Sequence, residues 1–153
     1  MTVRFSAGLR TGMLNATGLQ EMFTNGVLNI YSGVQPSSSN DPAQGTLLAT
    51  ITESGGAFVP GAPGNGLNFD TAIQGVIAKA VAESWQGTGL VDGLAGWARL
   101  SGNNLDTGAT STTLPRIDLA IAQSGGDLNL SNTSIVTGAP TSIGVFQITM
   151  LES

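Results

Sequence analysis

The sequence predicts a mainly β, single-domain protein: an antiparallel β-sandwich or jelly-roll-like fold with a short N-terminal helix or arm. Three observations lead there. Several segments alternate apolar and polar residues with period two, as in Arg116–Gln123, where Ile117, Leu119 and Ile121 share one face. Clusters rich in Gly, Pro, Ser and Asn punctuate these segments at short intervals. Helical periodicity is confined to the beginning of the chain, so strands do not alternate with helices as they would in an α/β fold.

The chain divides into 1–26, an arm and helix packed on the domain, and 27–153, the β-sandwich. In Leu9–Gly26 the side chains of Leu9, Met13, Leu14, Leu19, Met22 and Phe23 fall near one helical face, and Asn25-Gly26 supplies a stop. Gly12 and Gly18 weaken that helix, each by roughly 1 kcal/mol relative to Ala. Val27–Ser32 and Thr46–Glu53 read as strands flanking the loop Val34–Gly45. A Gly/Pro-dense loop, Ser54–Gly66, follows, with a short piece around Leu67–Phe69. Thr71–Trp85 is ambiguous: its alanines suit a helix, whereas Ile77, Val81 and Trp85 share one face of a strand. The strand reading is preferred because Gly75 opens the run and the neighbours are strands. Trp97–Gly102 and Arg116–Gln123 follow, separated by a hairpin-like descent over Asn103–Pro115. The last strands are Asp127–Leu130 and Ser142–Met150, with Leu128, Leu130, Phe146, Ile148 and Met150 assigned to the core.

Composition bounds the chemistry. Hydrophobic residues make up 41% of the 153 residues, enough for a core, but charged residues only 10%, against a typical value of about 25%. Glycine, serine and threonine together number 53, so the surface is covered by small hydroxyl and amide groups or lost to partners. There is no Cys and no His, which removes disulfides, thiolate ligands, imidazole ligands and the Ser-His-Asp triad. The five basic residues are scattered and the net charge is −5, so no basic stripe for nucleic acid exists. No apolar run approaches the ~20 residues of a membrane-spanning helix. The expectation is a soluble protein made in the cytoplasm, with no cofactor, no metal, no membrane partner and no nucleic-acid partner.

Candidate sites are few. Asp106 in "NNLDTG" lies among oxygen ligands, but a calcium loop needs several carboxylates, and an Asx turn explains the stretch better. Trp85, Trp97 and Tyr31 could form a sugar-stacking platform, although aromatic residues on alternating strands more often fill a core. Asp118, Asp127 and Glu53 read as solvent-side positions, and no two acids are arranged as a hydrolytic pair. The prediction is that the protein is not an enzyme.

Three stretches carry a family resemblance: "LRTGML…NGVLNIYSGVQPSSSNDPAQGTLLATIT", "WQGTGLVDGLAGWARLSG" and "SGGDLNLSNTSIVTGAPTSIGVFQITM". Together they span nearly the whole chain. Their most specific pieces are "IYSGVQP", "GLAGWARL" and "DLNLSNTSI". In these the chain resembles small virion structural proteins of tailed bacteriophages, of the capsid decoration or cement type. The resemblance implies a location on the capsid surface, the major capsid protein as partner, and self-association as a dimer or trimer. Arg4, Phe5, Leu9 and Arg10 would then form the partner-binding segment, docking on an acidic surface of the shell. A tail, collar or head–tail connector component, or a carbohydrate-binding module of the virion surface, are the alternatives.

Overall fold

The computed structural model describes residues 3–150 and shows a mainly β protein with antiparallel sheets and two short helices. Strand β1 (Arg4–Phe5) leads into helix α1 (Ala7–Leu14), which begins where Ser6 Oγ accepts the Leu9 N–H at 3.1 Å, an N-cap satisfying one of the helix's orphan donors. The expected helix over Leu9–Gly26 is two helices. Asn15 N–H closes on the carbonyls of Thr11 and Gly12, and Ala16 turns to φ 89°, so the chain leaves the helical path before α2 (Leu19–Met22). Leu9, Leu19 and Phe23 still point into the core. Gly8 lets α1 approach the backbone of Thr113 and Leu114, where any Cβ would collide with their carbonyls.

The strands that follow are β2 (Val27–Ser32), β3 (Leu47–Glu53), β4 (Val76–Ala78), β5 (Trp85–Thr88), β6 (Gly93–Ser101), β7 (Arg116–Ala122), β8 (Leu128–Asn129), β9 (Ser134–Ile135), β10 (Pro140–Ile143) and β11 (Gln147–Thr149). The large sheet runs β1-β7-β6-β2-β3-β5-β10. Its neighbours along that path are antiparallel, while β8 joins β7 in parallel and β9 pairs with part of β6. A second sheet consists of β11 and β4.

Register places an apolar row across four strands: Ile51 opposite Leu28, Leu28 opposite Leu100, and Leu100 opposite Ile117. This face packs on a second layer made of the two helices, Leu67, Phe69 and the small sheet, which gives the fold its sandwich-like character. Phe69, Trp85 and Phe146 join the two sheets, with ring centres 5.4 to 6.0 Å apart. Burying this set of Leu, Ile, Phe and Trp side chains is the main stabilisation, at roughly 1.5–3 kcal/mol for each large apolar side chain.

Two further expected segments differ from the structure. Thr71–Trp85 is not one strand. Gln74 and Gly75 adopt φ of 51° and 76°, forming a turn that leaves only β4 before the chain bends again. Asp70 Oδ2 captures the Val81 N–H at 2.9 Å, so Val81 stands 88% exposed in that bend while Ile77 and Trp85 face inward. Ser142–Met150 also divides. β10 belongs to the large sheet and β11 to the small one, with Gly144–Phe146 crossing between them. Met150, at the far end of that crossing, is exposed rather than in the core, whereas Leu128, Leu130, Phe146 and Ile148 are buried.

Candidate functional site

The opposite face of the large sheet carries a polar row and both buried ion pairs. One residue along from the apolar row, register aligns Thr50, Asn29, Arg99, Asp118 and Arg4 across β3, β2, β6, β7 and β1. Beside it lie Ser101 and Arg116, and on the other side Tyr31 and Trp97. An ordinary two-layer protein would leave this face wet. Here the segment between β2 and β3 folds across it as a strap.

The strap is fastened through its own carbonyls. Arg4 Nη1 donates to Ser37 O at 2.7 Å, Arg116 Nη1 to Ser39 O at 3.4 Å, Arg99 Nη1 to Asp41 O at 3.1 Å, and Trp97 Nε1 to Gln44 O at 3.1 Å. The donors sit on β1, β7 and β6 in their spatial order, so the strap runs across the strands. Its side chains tie it further: Ser39 Oγ donates to Arg4 O, and Asn40 Oδ1 accepts the Ala7 N–H. At its end Gly45, with φ 84°, passes so close to Ser32 O that a side chain would not fit.

Beneath the strap two arginines are neutralised by bidentate pairing. Arg99 meets Asp118 with Nε–Oδ1 at 2.7 Å and Nη2–Oδ2 at 2.8 Å, both side chains almost inaccessible. Arg116 meets Asp106 with Nη2–Oδ1 at 2.5 Å and Nε–Oδ2 at 2.7 Å. Asp118 was expected on a solvent-side position; it is fully buried, because the strap covers that side. Asp106 forms the expected Asx turn, accepting the Gly108 N–H at 2.8 Å, and is the partner of Arg116 as well. Burial pushes the Asp106 carboxyl up, but the hydrogen bonds from Arg116 and Gly108 and the guanidinium charge outweigh it, leaving the pKa below the ordinary value. Burial raises the Tyr31 hydroxyl above its usual range, against the opposing charge of Arg99.

The aromatic residues do not form a sugar platform. Trp97 is fully buried, stacked on Tyr31 at 4.6 Å with Arg99 5.4 Å from its ring centre, and Trp85 lies in the core. The four residues of the expected partner-binding segment diverge as well. Leu9 is fully buried and has no surface to offer, and Phe5 packs half-buried on the core. Arg4 is directed to the strap, with Nε buried, and Arg10 is exposed on α1. The helical spacing of Leu9 and Met13 was the sequence signal that Leu9 faces inward.

A different surface gathers exposed apolar groups. The turn between β5 and β6 presents Leu90 and Val91, the start of β6 presents Leu94, and Val136 lies beside them, with exposures of 44–66%. Backbone pairing brings the pieces together: Gly93 faces Ile135, Leu94 faces Ser134, and Gly138 N–H donates to Gly89 O. Asp92 holds the tip by accepting the Thr137 N–H at 2.7 Å and its hydroxyl at 2.8 Å, which lowers its own pKa. The signal for this tip was "GLVDGL", a loop with three aliphatic residues and one charge.

Among the described residues no group of three or more His, Cys, Asp or Glu side chains gathers to hold a metal, and no helix is long and apolar enough to cross a membrane. No protein family matches the chain, and neither a curated protein nor a solved structure shows significant similarity to it.

Proposed function

We propose that the protein is a non-enzymatic structural component of a tailed-bacteriophage virion, a capsid decoration protein that binds the major capsid protein shell and stabilises it. The observation that carries this reading is the distribution of charge. Two of the five basic residues, Arg99 and Arg116, are sealed with their aspartates under the strap, while the tip exposes Leu90, Val91, Leu94 and Val136 around a single carboxylate. Removing such a surface from water desolvates few charges, so apolar burial is not offset by the cost of stripping ions. Eight carboxylates, Asp41, Glu53, Asp70, Glu83, Asp92, Asp106, Asp118 and Asp127, accept hydrogen bonds from nearby groups. They act as fasteners of loops and strands, as a protein that serves by being rigid requires. Self-association as a dimer or trimer would place copies on the shell's symmetry axes.

The test is to add purified protein to undecorated capsids and, separately, to isolated tails. Saturable binding to capsids is expected, with Leu94→Asp weakening it at least about tenfold, the effect of placing a charge in an apolar contact. Binding to tails alone, or undiminished capsid binding by Leu94→Asp, overturns the decoration reading or the role of the tip, respectively.

A further inference from the structure

A cleft of about 350 Å³ opens beside the charged face, between β2, β3, the 54–66 loop and the chain after β6. Its polar lining is Asn29, Thr50, Ser101, Asn104 and Asp106, and its apolar walls include Phe58 and Leu105, the latter 70% exposed. We propose that this cleft binds a neutral, hydroxyl-rich small molecule of monosaccharide size.

The direction of the hydrogen bonds points to that chemistry. Thr50 Oγ1 donates to Asn29 Oδ1 at 2.9 Å, and Ser101 Oγ donates to Asp106 Oδ2 at 3.2 Å. Neither acceptor has a proton to return, so both hydroxyl protons are committed and the hydroxyl oxygens keep their lone pairs. These two hydroxyls therefore accept hydrogen bonds, whereas the side-chain amides of Asn29 and Asn104 carry donors, so a ligand that both donates and accepts, as a hydroxyl does, matches the lining. Charge narrows the choice. Asp106 is neutralised by Arg116 through two bonds of 2.5 and 2.7 Å, so the cleft lacks the free negative charge that would favour a cation. The arginine donates to Asp106 and to the carbonyls of Ser39 and Ala109, which leaves an anion without its charge as well. A ligand with hydroxyls on one side and C–H groups on the other fits both surfaces, with its apolar face against Phe58 and Leu105. The volume lies within the range of small-molecule pockets, about 300–1,000 Å³. This site is separate from the buried Trp85 and Trp97 and uses neither.

The experiment is an NMR titration of the full chain with the methyl α-glycosides of D-glucose, D-galactose and D-mannose, with methylammonium and acetate as charged probes. Saturable shifts of the amides of Phe58 and of residues 101–108 are expected with at least one glycoside, with a Kd on the order of 1–10 mM. Phe58→Ala should weaken that affinity at least about tenfold, the loss of an aromatic wall. Should Phe58→Ala not fold, Leu105→Ser, altering an exposed side chain, takes its place with the same expectation. No saturable response to any glycoside up to about 100 mM, well beyond the range of even weak specific binding, overturns the proposal. So does an equal response in the variant, or a stronger one to methylammonium or acetate.

Discussion

The two faces of the large sheet are built from the same strands and differ by one residue of register, yet they are held by opposite physics. On one face Ile51, Leu28, Leu100 and Ile117 form an apolar row whose burial is non-directional and tolerant of small adjustments. On the other, Thr50, Asn29, Arg99, Asp118 and Arg4 form a polar row whose ion pair, Arg99 with Asp118, is buried beneath the strap, while Thr50 and Asn29 stay half-buried and line the cleft. A buried ion pair needs nearly every donor and acceptor satisfied, since removing one partner leaves an uncompensated charge. The guanidinium of Arg99 meets that need through both oxygens of Asp118 and the carbonyl of Asp41. The apolar face supplies stability, while the polar face fixes where the strap lies.

The comparison breaks most sharply at Asp118. Asp118→Ala strands the Arg99 charge and should cost about 3–5 kcal/mol, read as a lowered urea midpoint. Combining Arg99→Met with Asp118→Leu should recover much of that loss, because the pair's value lies in mutual compensation. A single-variant cost below about 1 kcal/mol, the range of an exposed pair, would show that the strap does not exclude water.

Leu100→Ala tests the other face. It should cost about 2–5 kcal/mol through lost transfer energy and a residual cavity, with no dependence on pH. An equal cost at neutral and acid pH separates it from the charged face.

The smallest effect is expected at Asp106, nearer the edge of the covered region. Its folded pKa lies below its unfolded value, so its contribution is complete above the unfolded pKa of about 4 and is lost as pH falls through the folded value. Asp106→Asn should lower stability by about 1.5–3 kcal/mol at pH 7, and the gap between variant and wild type should close in acid. A gap that stays constant down to pH 2, below ordinary carboxylate values, would show that the charge of Asp106 contributes nothing.

Much of the strand pattern was legible because period two is a local property. Val27–Ser32 is a strand with the bounds its sequence suggests, and β7 ends one residue before the expected Gln123. The apolar positions of β7 (Ile117, Leu119 and Ile121) face the core as their alternation requires. At Ala16 and Val81 the segments that differed did so where the backbone turns away from regular geometry without a glycine or proline signal at the turning residue. The bend at Val81 depends on Asp70, eleven residues earlier, and the break after α1 depends on a non-glycine residue, Ala16, at positive φ. The environment of Arg4 and the cleft were not legible for a related reason. Arg4 and Ser37 are 33 residues apart, and Thr50 and Ser101 reach one cleft only after β3 and β6 flank β2.

By itself the sequence determined that this is a β protein of low charge, without cysteine or histidine chemistry, whose strands each have one apolar side. Those properties follow from composition and from the fixed geometry of an extended chain. Tertiary structure alone decided what lies on the other side. Alternation shows that Arg99 and Asp118 occupy the opposite face from Leu100 and Ile117, but not that they meet, nor that the face is dry. Their meeting requires cross-strand register between residues 19 apart, and their burial requires a loop without regular structure to cross three strands and offer its carbonyls to their arginines. Long-range pairing of this kind depends on the whole chain's arrangement, which no local window of sequence contains.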